Sequence, residues 1–232
     1  MNQIIIFDFD DTLIDNRLSD YQGFIIPCIE LGIQPPSQKI IYKLRKEGLL
    51  AKDIVKQIIH DNNKKYQKEF LRKRQNFIND TKSNKYFRLK RNTRDLLKYL
   101  KNKNFTCVIC SIRKNDEIIE NFLVNKKLLE YFENIYLTNN LNSKIEINSV
   151  INRTIIKKKL IQEILKKYSN KNSEVIFIGN AEEDLNAAKS TKVKFIFYKN
   201  SYMPNNPKIN LKNVNKIKTM KELQRMIEEE MK

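Results

Sequence analysis

The chain has 232 residues, 41% hydrophobic and 31% charged, with 45 Lys and Arg against 27 Asp and Glu for a formal net charge of +18. That length allows one domain, or one domain carrying a smaller insert. Four glycines, one histidine and three cysteines exclude glycine-rich dinucleotide and phosphate loops, a Gly-x-Ser-x-Gly elbow, multi-histidine metal sites and a disulfide framework.

No apolar run approaches the ~20 residues needed to cross a bilayer, and Asp8 and Asp10 interrupt the N-terminal run at once. A soluble, cytoplasmic protein with reduced cysteines is expected, with no membrane partner. The positive charge is spread along the chain among many Lys, Asn and Ile residues. It reads as compositional bias; the rival reading is a field that attracts anionic ligands, so nucleic acid is a partner to keep in view but not the favoured one.

In chain order, residues 3–7 form an apolar run with the length of a buried strand. Residues 16–86 contain no convincing strand. They read as several helices punctuated by Gly32, Pro35-Pro36 and Gly48, with fifteen basic against seven acidic residues. Residues 90–103 have helical spacing, with Leu96, Leu97 and Leu100 on one face. Strand 105–110, helix 115–130 and strand 134–138 follow. Residues 139–154 are Asn-rich and are expected to be a loop. Helix 157–168, strand 175–178, helix 182–190, strand 193–198 and helix 219–231 complete the chain. Strands alternating with helices predict an α/β fold with a doubly wound parallel sheet. The predicted organisation is a core of residues 1–15 and 87–232 with an inserted all-helical segment, 16–86. In such sheets ligands bind beyond the carboxyl ends of the strands.

The first strand runs straight into Asp8-Phe9-Asp10-Asp11-Thr12. Residues i and i+2 point to the same side of a strand, so Asp8 and Asp10 are expected to project together while Phe9 returns to the core. Two adjacent carboxylates repel unless a cation sits between them, and a hard divalent ion such as Mg²⁺ prefers oxygen ligands. The plainer reading, acids that cap a following helix, needs only one of them.

This pattern resembles the first motif of the haloacid dehalogenase-like hydrolases, an apolar strand ending Asp-x-Asp-x-Thr. The resemblance implies a Rossmann-like core with a helical cap over 16–86. It also implies Mg²⁺ as cofactor and, because the second Asp is present, phosphatase chemistry on a small phosphorylated substrate. Carried over residue by residue, Asp8 is the nucleophile and a metal ligand. Asp10 is the general acid and base and ligates through its backbone carbonyl, and Thr12 contacts the phosphate. Ser111, ending the strand FTCVICS, matches the second motif, although Ile112 stands where Asn is frequent. Lys157 best matches the third motif, a Lys at or near a helix start, with Lys158 and Lys159 as alternatives. Residues 175–188 match the fourth, with Gly179 before the metal-ligand position. There Asn180 replaces the usual Asp, and Asp184, one helical turn on, is left to carry the acidic role, directly or through water.

Arg17 and Tyr21, at the start of the insert, are candidates to reach a substrate, as is Arg113 just after Ser111. His60 is read as an exposed or satisfied histidine, and the Cys107-x-x-Cys110 string as core. A nucleotide or nucleic-acid-end phosphatase is an alternative suggested by the charge. A catalytically silent binding relative is an alternative suggested by Asn180.

Overall fold

Gln3–Phe7 forms β1, a central strand in a computed structural model that describes residues 3–59, 64–141, 147, 149–199 and 210–230. It is followed by β2 (Ile14–Asp15) and helices α1 (Arg17–Glu30), α2 (Gln38–Lys46), α3 (Ala51–Ile58) and α4 (Lys64–Ile78). Then come β3 (Arg88–Leu89), α5 (Thr93–Asn102), β4 (Thr106–Ser111), α6 (Asp116–Asn125) and β5 (Asn134–Leu137). The remainder is α7 (Val150–Tyr168), β6 (Glu174–Gly179), α8 (Glu182–Thr191), β7 (Lys194–Tyr198), β8 (Asn215–Ile217) and α9 (Met220–Glu230).

Six strands form one sheet in the order β5-β4-β1-β6-β7-β8, parallel at every pairing. The fold is therefore α/β with a parallel, doubly wound sheet and an inserted all-helical segment. Ile4, Ile5, Ile6 and Phe7 are fully buried, as expected of a strand covered on both faces. Ile4 and Ile6 pack with Ile156, Leu160, Ile161 and Ile164 of α7 and with Ala187 and Ala188 of α8. Phe7 has the opposite parity and meets Phe132 edge-on, with ring centroids 6.1 Å apart.

Two short strands escape a periodicity reading because they are two residues long. β2 and β3 pair antiparallel, Ile14 opposite Leu89 and Asp15 opposite Arg88, and the insert leaves and returns through this ribbon. β8 adds a sixth sheet strand beyond the five expected. Its sequence, NKI, has a single buried apolar residue, Ile217, too little for a hydrophobic signal.

A larger correction concerns residues 139–154. The expected loop gives way to helix at Val150, seven residues before the helix predicted at 157. Ser149 caps it, its Oγ accepting from Asn152 N at 3.1 Å, which meets the unpaired amides of the first turn. The Asn-rich composition hid a helical register in which Ile156 is already buried.

By compactness the described chain divides in two. One unit comprises the residues up to Asp15, 88–199 and 211–230; the other comprises Asn16–Phe87 and residue 210. The second has its own core of Phe24, Cys28, Ile41, Ile54, Val55, Ile59 and Phe70.

Candidate active site

Strand register builds the site. Phe7 stands level with Ile109 of β4 and Ile178 of β6, so the three chains leave the sheet side by side. Asp8 N still donates to Ile178 O at 2.9 Å, which fixes the first residue past the strand. The chain then turns. Asp11 adopts φ +59°, a left-handed conformation that Asp and Asn tolerate better than most residues. Leu13 N and Ile14 N both donate to Phe9 O, at 3.0 and 3.2 Å, and Phe9 is buried. The turn keeps Asp8, the Asp10 carbonyl and Thr12 on one side of a tight loop.

Asp8, 6% exposed, receives Lys157 Nζ on Oδ1 at 2.5 Å and the Thr12 hydroxyl on Oδ2 at 3.1 Å. Lys157 is 1% exposed and also donates to the Cys110 carbonyl at 2.8 Å. It lies 3.0 Å from Asp184 Oδ1. Of the three candidate lysines it is the one turned inward; Lys158 is half-buried and Lys159 exposed. Contrary to the expected position at a helix start, it lies two turns inside α7, because the helix begins at Val150.

Asp184 is buried on the first turn of α8. Its Oδ2 accepts from Asn180 N and Ala181 N, each at 3.1 Å, a carboxylate reaching back to otherwise orphaned helix-end amides. Gly179 makes room for it: a Cβ at that residue would stand 2.6 Å from Asp184 Oδ2.

The Asn180 amide faces acceptors. Its surroundings place the nitrogen so that it donates to Asp10 O at 3.1 Å, Thr12 Oγ1 at 3.2 Å and Asp8 Oδ2 at 3.3 Å. One carboxylate oxygen, one backbone carbonyl and one amide thus converge on one place. With the amide turned to present its oxygen, this donor set fits a hard cation such as Mg²⁺. It does so with less charge than an all-carboxylate site: among the described residues no three His, Cys, Asp or Glu side chains are grouped to hold a metal.

Electrostatics favour an added cation. Burial pushes the Asp8 carboxyl up, to about 8; Lys157 pulls it down, and Asp184 and Asp10 add repulsion. The pKa of Lys157 lies well above the ordinary value: burial opposes its charge, but Asp184 and Asp8 outweigh burial.

Ser111 ends β4 and is buried; its Oγ accepts from Arg113 N at 3.3 Å. Arg17 opens α1 in the inserted unit. Tyr21 donates to Pro36 O at 3.3 Å within that unit. His60 lies outside the described residues. Cys107 and Cys110 are buried, and burial pushes both thiols up to about 12, in keeping with core residues.

Two features went unseen in the sequence. Arg113 pairs with Asp10 at 2.7 Å. Arg153, one turn before Lys157 on α7, pairs with Glu183 at 3.3 Å. Its four-residue spacing from Lys157 was the available signal.

Comparison with known proteins agrees with the architecture. A haloacid dehalogenase-like family protein from Streptococcus pneumoniae superposes with a TM-score of 0.73 at 18% identity, over 97% of this chain and 98% of that one. A protein named as a predicted phosphatase from Clostridium acetobutylicum gives 0.71 at 18% identity, over 99% of each chain. A protein from Bacillus subtilis, named as a HAD-hydrolase and bound to magnesium, gives 0.68 at 15%, over 97% and 98%. No curated protein matches significantly. The family model for haloacid dehalogenase-like hydrolases matches residues 5–198, a span that includes Asp8, Asp10, Thr12, Ser111, Lys157, Asn180 and Asp184, and the chain belongs to that family.

Proposed function

We propose that the chain is a Mg²⁺-dependent phosphomonoester hydrolase that acts on a small phosphorylated metabolite through an aspartyl-phosphate at Asp8. The observation that carries this reading is the buried Asp8 carboxylate, held by the Lys157 ammonium and the Thr12 hydroxyl, with the Asp10 carbonyl and the Asn180 amide at the same oxygen-rich place. The phosphatase named among the structural relatives and the relative bound to magnesium add support.

Asp8 attacks phosphorus, forming an O–P bond as the ester P–O bond breaks. The electron pair leaves with the alkoxide, and Asp10 supplies its proton. Asp10 then takes a proton from water, whose oxygen attacks the phosphoryl group and frees Asp8. Lys157 offsets negative charge on Asp8 and on the transferred group. Ser111 and Thr12 are assigned as hydroxyl donors to phosphoryl oxygens. Bound Mg²⁺ would be held by Asp8, the Asp10 carbonyl and Asn180, with Asp184 in support, and would offset the charge of nucleophile and phosphate. Substrate selection is assigned to the inserted helical unit as a cap, with Arg17 as a contributor.

The test is turnover of an aryl phosphate with and without Mg²⁺, by wild type and Asp8→Asn, together with fluoroberyllate trapping. Metal-dependent turnover lost in Asp8→Asn, with the adduct on Asp8, is the expected result. An adduct on another residue overturns the assignment. A second reading, a silent binding module, draws on the Asn180 amide, which donates to the oxygens a cation would take. Absence of turnover in both wild type and Asn180→Asp would move that reading ahead.

A further inference from the structure

Arg113 lies two residues past Ser111, where β4 leaves the sheet. Its guanidinium grips Asp10 at two points, Nε to Oδ2 at 2.8 Å and Nη2 to Oδ1 at 2.7 Å. The arginine side chain is 12% exposed, so this pair is more sheltered than an ordinary surface ion pair.

The arginine backbone is itself anchored. Its amide donates to Ser111 Oγ at 3.3 Å, and its carbonyl accepts from Thr138 N at 3.3 Å. Thr138 Oγ1 donates to the preceding Ile112 carbonyl at 2.9 Å. Thr138 follows β5 directly, so the ends of two neighbouring strands, β4 and β5, hold the base of the side chain.

A two-point grip by a planar fork fixes both the place of a carboxylate and its rotation, which a single ammonium cannot do. Asp10 needs such a hold. It lies past the end of β1 in a tight loop, beside the left-handed Asp11, and its side chain is 27% exposed. We propose that Arg113 is the positioning residue of Asp10: it holds that carboxylate in one orientation for proton transfer with the leaving group and then with water.

The inference rests on the hydrolase reading above, and it sets an expectation that a purely structural arginine would not. A proton donor matters for an alkyl phosphate, whose leaving group is a strong base, and little for an aryl phosphate. Displacing a catalytic group by about 1 Å can cost roughly 10²-fold.

The experiment compares kcat/KM for one alkyl and one aryl phosphate in wild type, Arg113→Ala, Arg113→Gln, Arg113→Lys, Asp10→Asn and the double variant Asp10→Asn/Arg113→Ala. Arg113→Ala is expected to lose roughly 10²-fold on the alkyl ester and only a few-fold on the aryl ester. Arg113→Lys, which keeps charge but not the fork, should fall between. The double variant should be no slower on the alkyl ester than Asp10→Asn alone, because positioning is worth nothing once the donor is gone. Arg113→Gln keeps a planar donor and replaces Arg113→Ala if that variant does not fold. Equal losses on both esters, or losses that add in the double variant, overturn the role of Arg113 and leave the hydrolase reading standing. A wild type inactive on both esters overturns the hydrolase reading, and the role of Arg113 with it.

Discussion

Lys157 Nζ lies 2.5 Å from Asp8 Oδ1, and almost none of the lysine reaches solvent. A buried ammonium is costly unless fully partnered, and this one meets Asp8, Asp184 and the Cys110 carbonyl. Burial is the main reason the Asp8 pKa rises; Lys157 opposes the rise, and repulsion from Asp184 and Asp10 adds to it, because one cation stands among two buried carboxylates.

Removing the lysine charge should therefore harm fold and chemistry together. Lys157→Met leaves two buried carboxylates unpaired and should cost about 3–5 kcal/mol, read by denaturant unfolding, with aryl phosphate turnover lost. Asp8→Asn keeps the Lys157–Asp184 pair and should lose turnover with little loss of stability. Comparable destabilisation by both would mean that Asp8, rather than Asp184, is the main structural partner of the lysine.

Asn180 leads to a prediction whose sign changes with metal. Its amide nitrogen donates to Asp8 Oδ2, the Asp10 carbonyl and Thr12 Oγ1, so without metal the asparagine satisfies oxygens that would otherwise repel. Asn180→Asp replaces a donor with a third source of negative charge. The metal-free variant should melt below wild type. With Mg²⁺ it should melt above, with affinity by calorimetry tighter by about tenfold. Asp184→Ala should weaken the response to metal by freeing the Asn180 and Ala181 amides that Asp184 now holds. Unchanged affinity in both variants would place the cation elsewhere.

Gly179 is required by space. A methyl group there would lie 2.6 Å from Asp184 Oδ2 and 2.7 Å from its Cβ and Cγ, closer than real contacts allow. Gly179→Ala must push the helix-end carboxylate away, at a cost of about 1–3 kcal/mol. If crystals of Gly179→Ala kept the Asp184 hydrogen bonds unchanged, the site would be softer than this packing implies.

Much of the site was legible because its residues follow strands whose hydrophobicity is unambiguous. QIIIF, FTCVIC and VIFIG run directly into Asp8, Ser111 and Asn180, and parallel register brings those ends together. The start of α7 was not legible, because its first turns leave Ile151 and Ile155 exposed, so their apolar residues mark no buried face, and the cap is a lone serine. Nor was the Arg113–Asp10 pair: 103 residues apart, the two meet only through the adjacency of β1 and β4, and a two-residue offset from a strand end does not say which carboxylate a long side chain will reach.

The inserted unit holds a pH-dependent element of its own. Asp20 on α1 receives Arg45 of α2 at two points, 2.8 and 2.7 Å, and also Arg74 of α4. Both guanidinium groups lie over the Phe24 ring, 5.4 and 4.8 Å from its centroid. One carboxylate thus ties three helices together. Burial alone would raise its pKa, but Arg45 and Arg74 outweigh burial and hold it well below the usual carboxylate range. A folded-state pKa below the unfolded value means that the unfolded chain takes up a proton first. The stabilisation is therefore complete above the unfolded value of about 3.9 and is lost as pH falls through the lower folded value. Asp20→Asn leaves two guanidinium groups short of a counter-charge and should cost about 3–5 kcal/mol at neutral pH. Denaturant unfolding of both proteins from pH 7 to pH 3 measures the gap between them, which should stay constant down to about pH 5 and narrow only below about pH 4. A gap that closes between pH 7 and pH 5 would show that a group other than Asp20 governs the acid response of these helices.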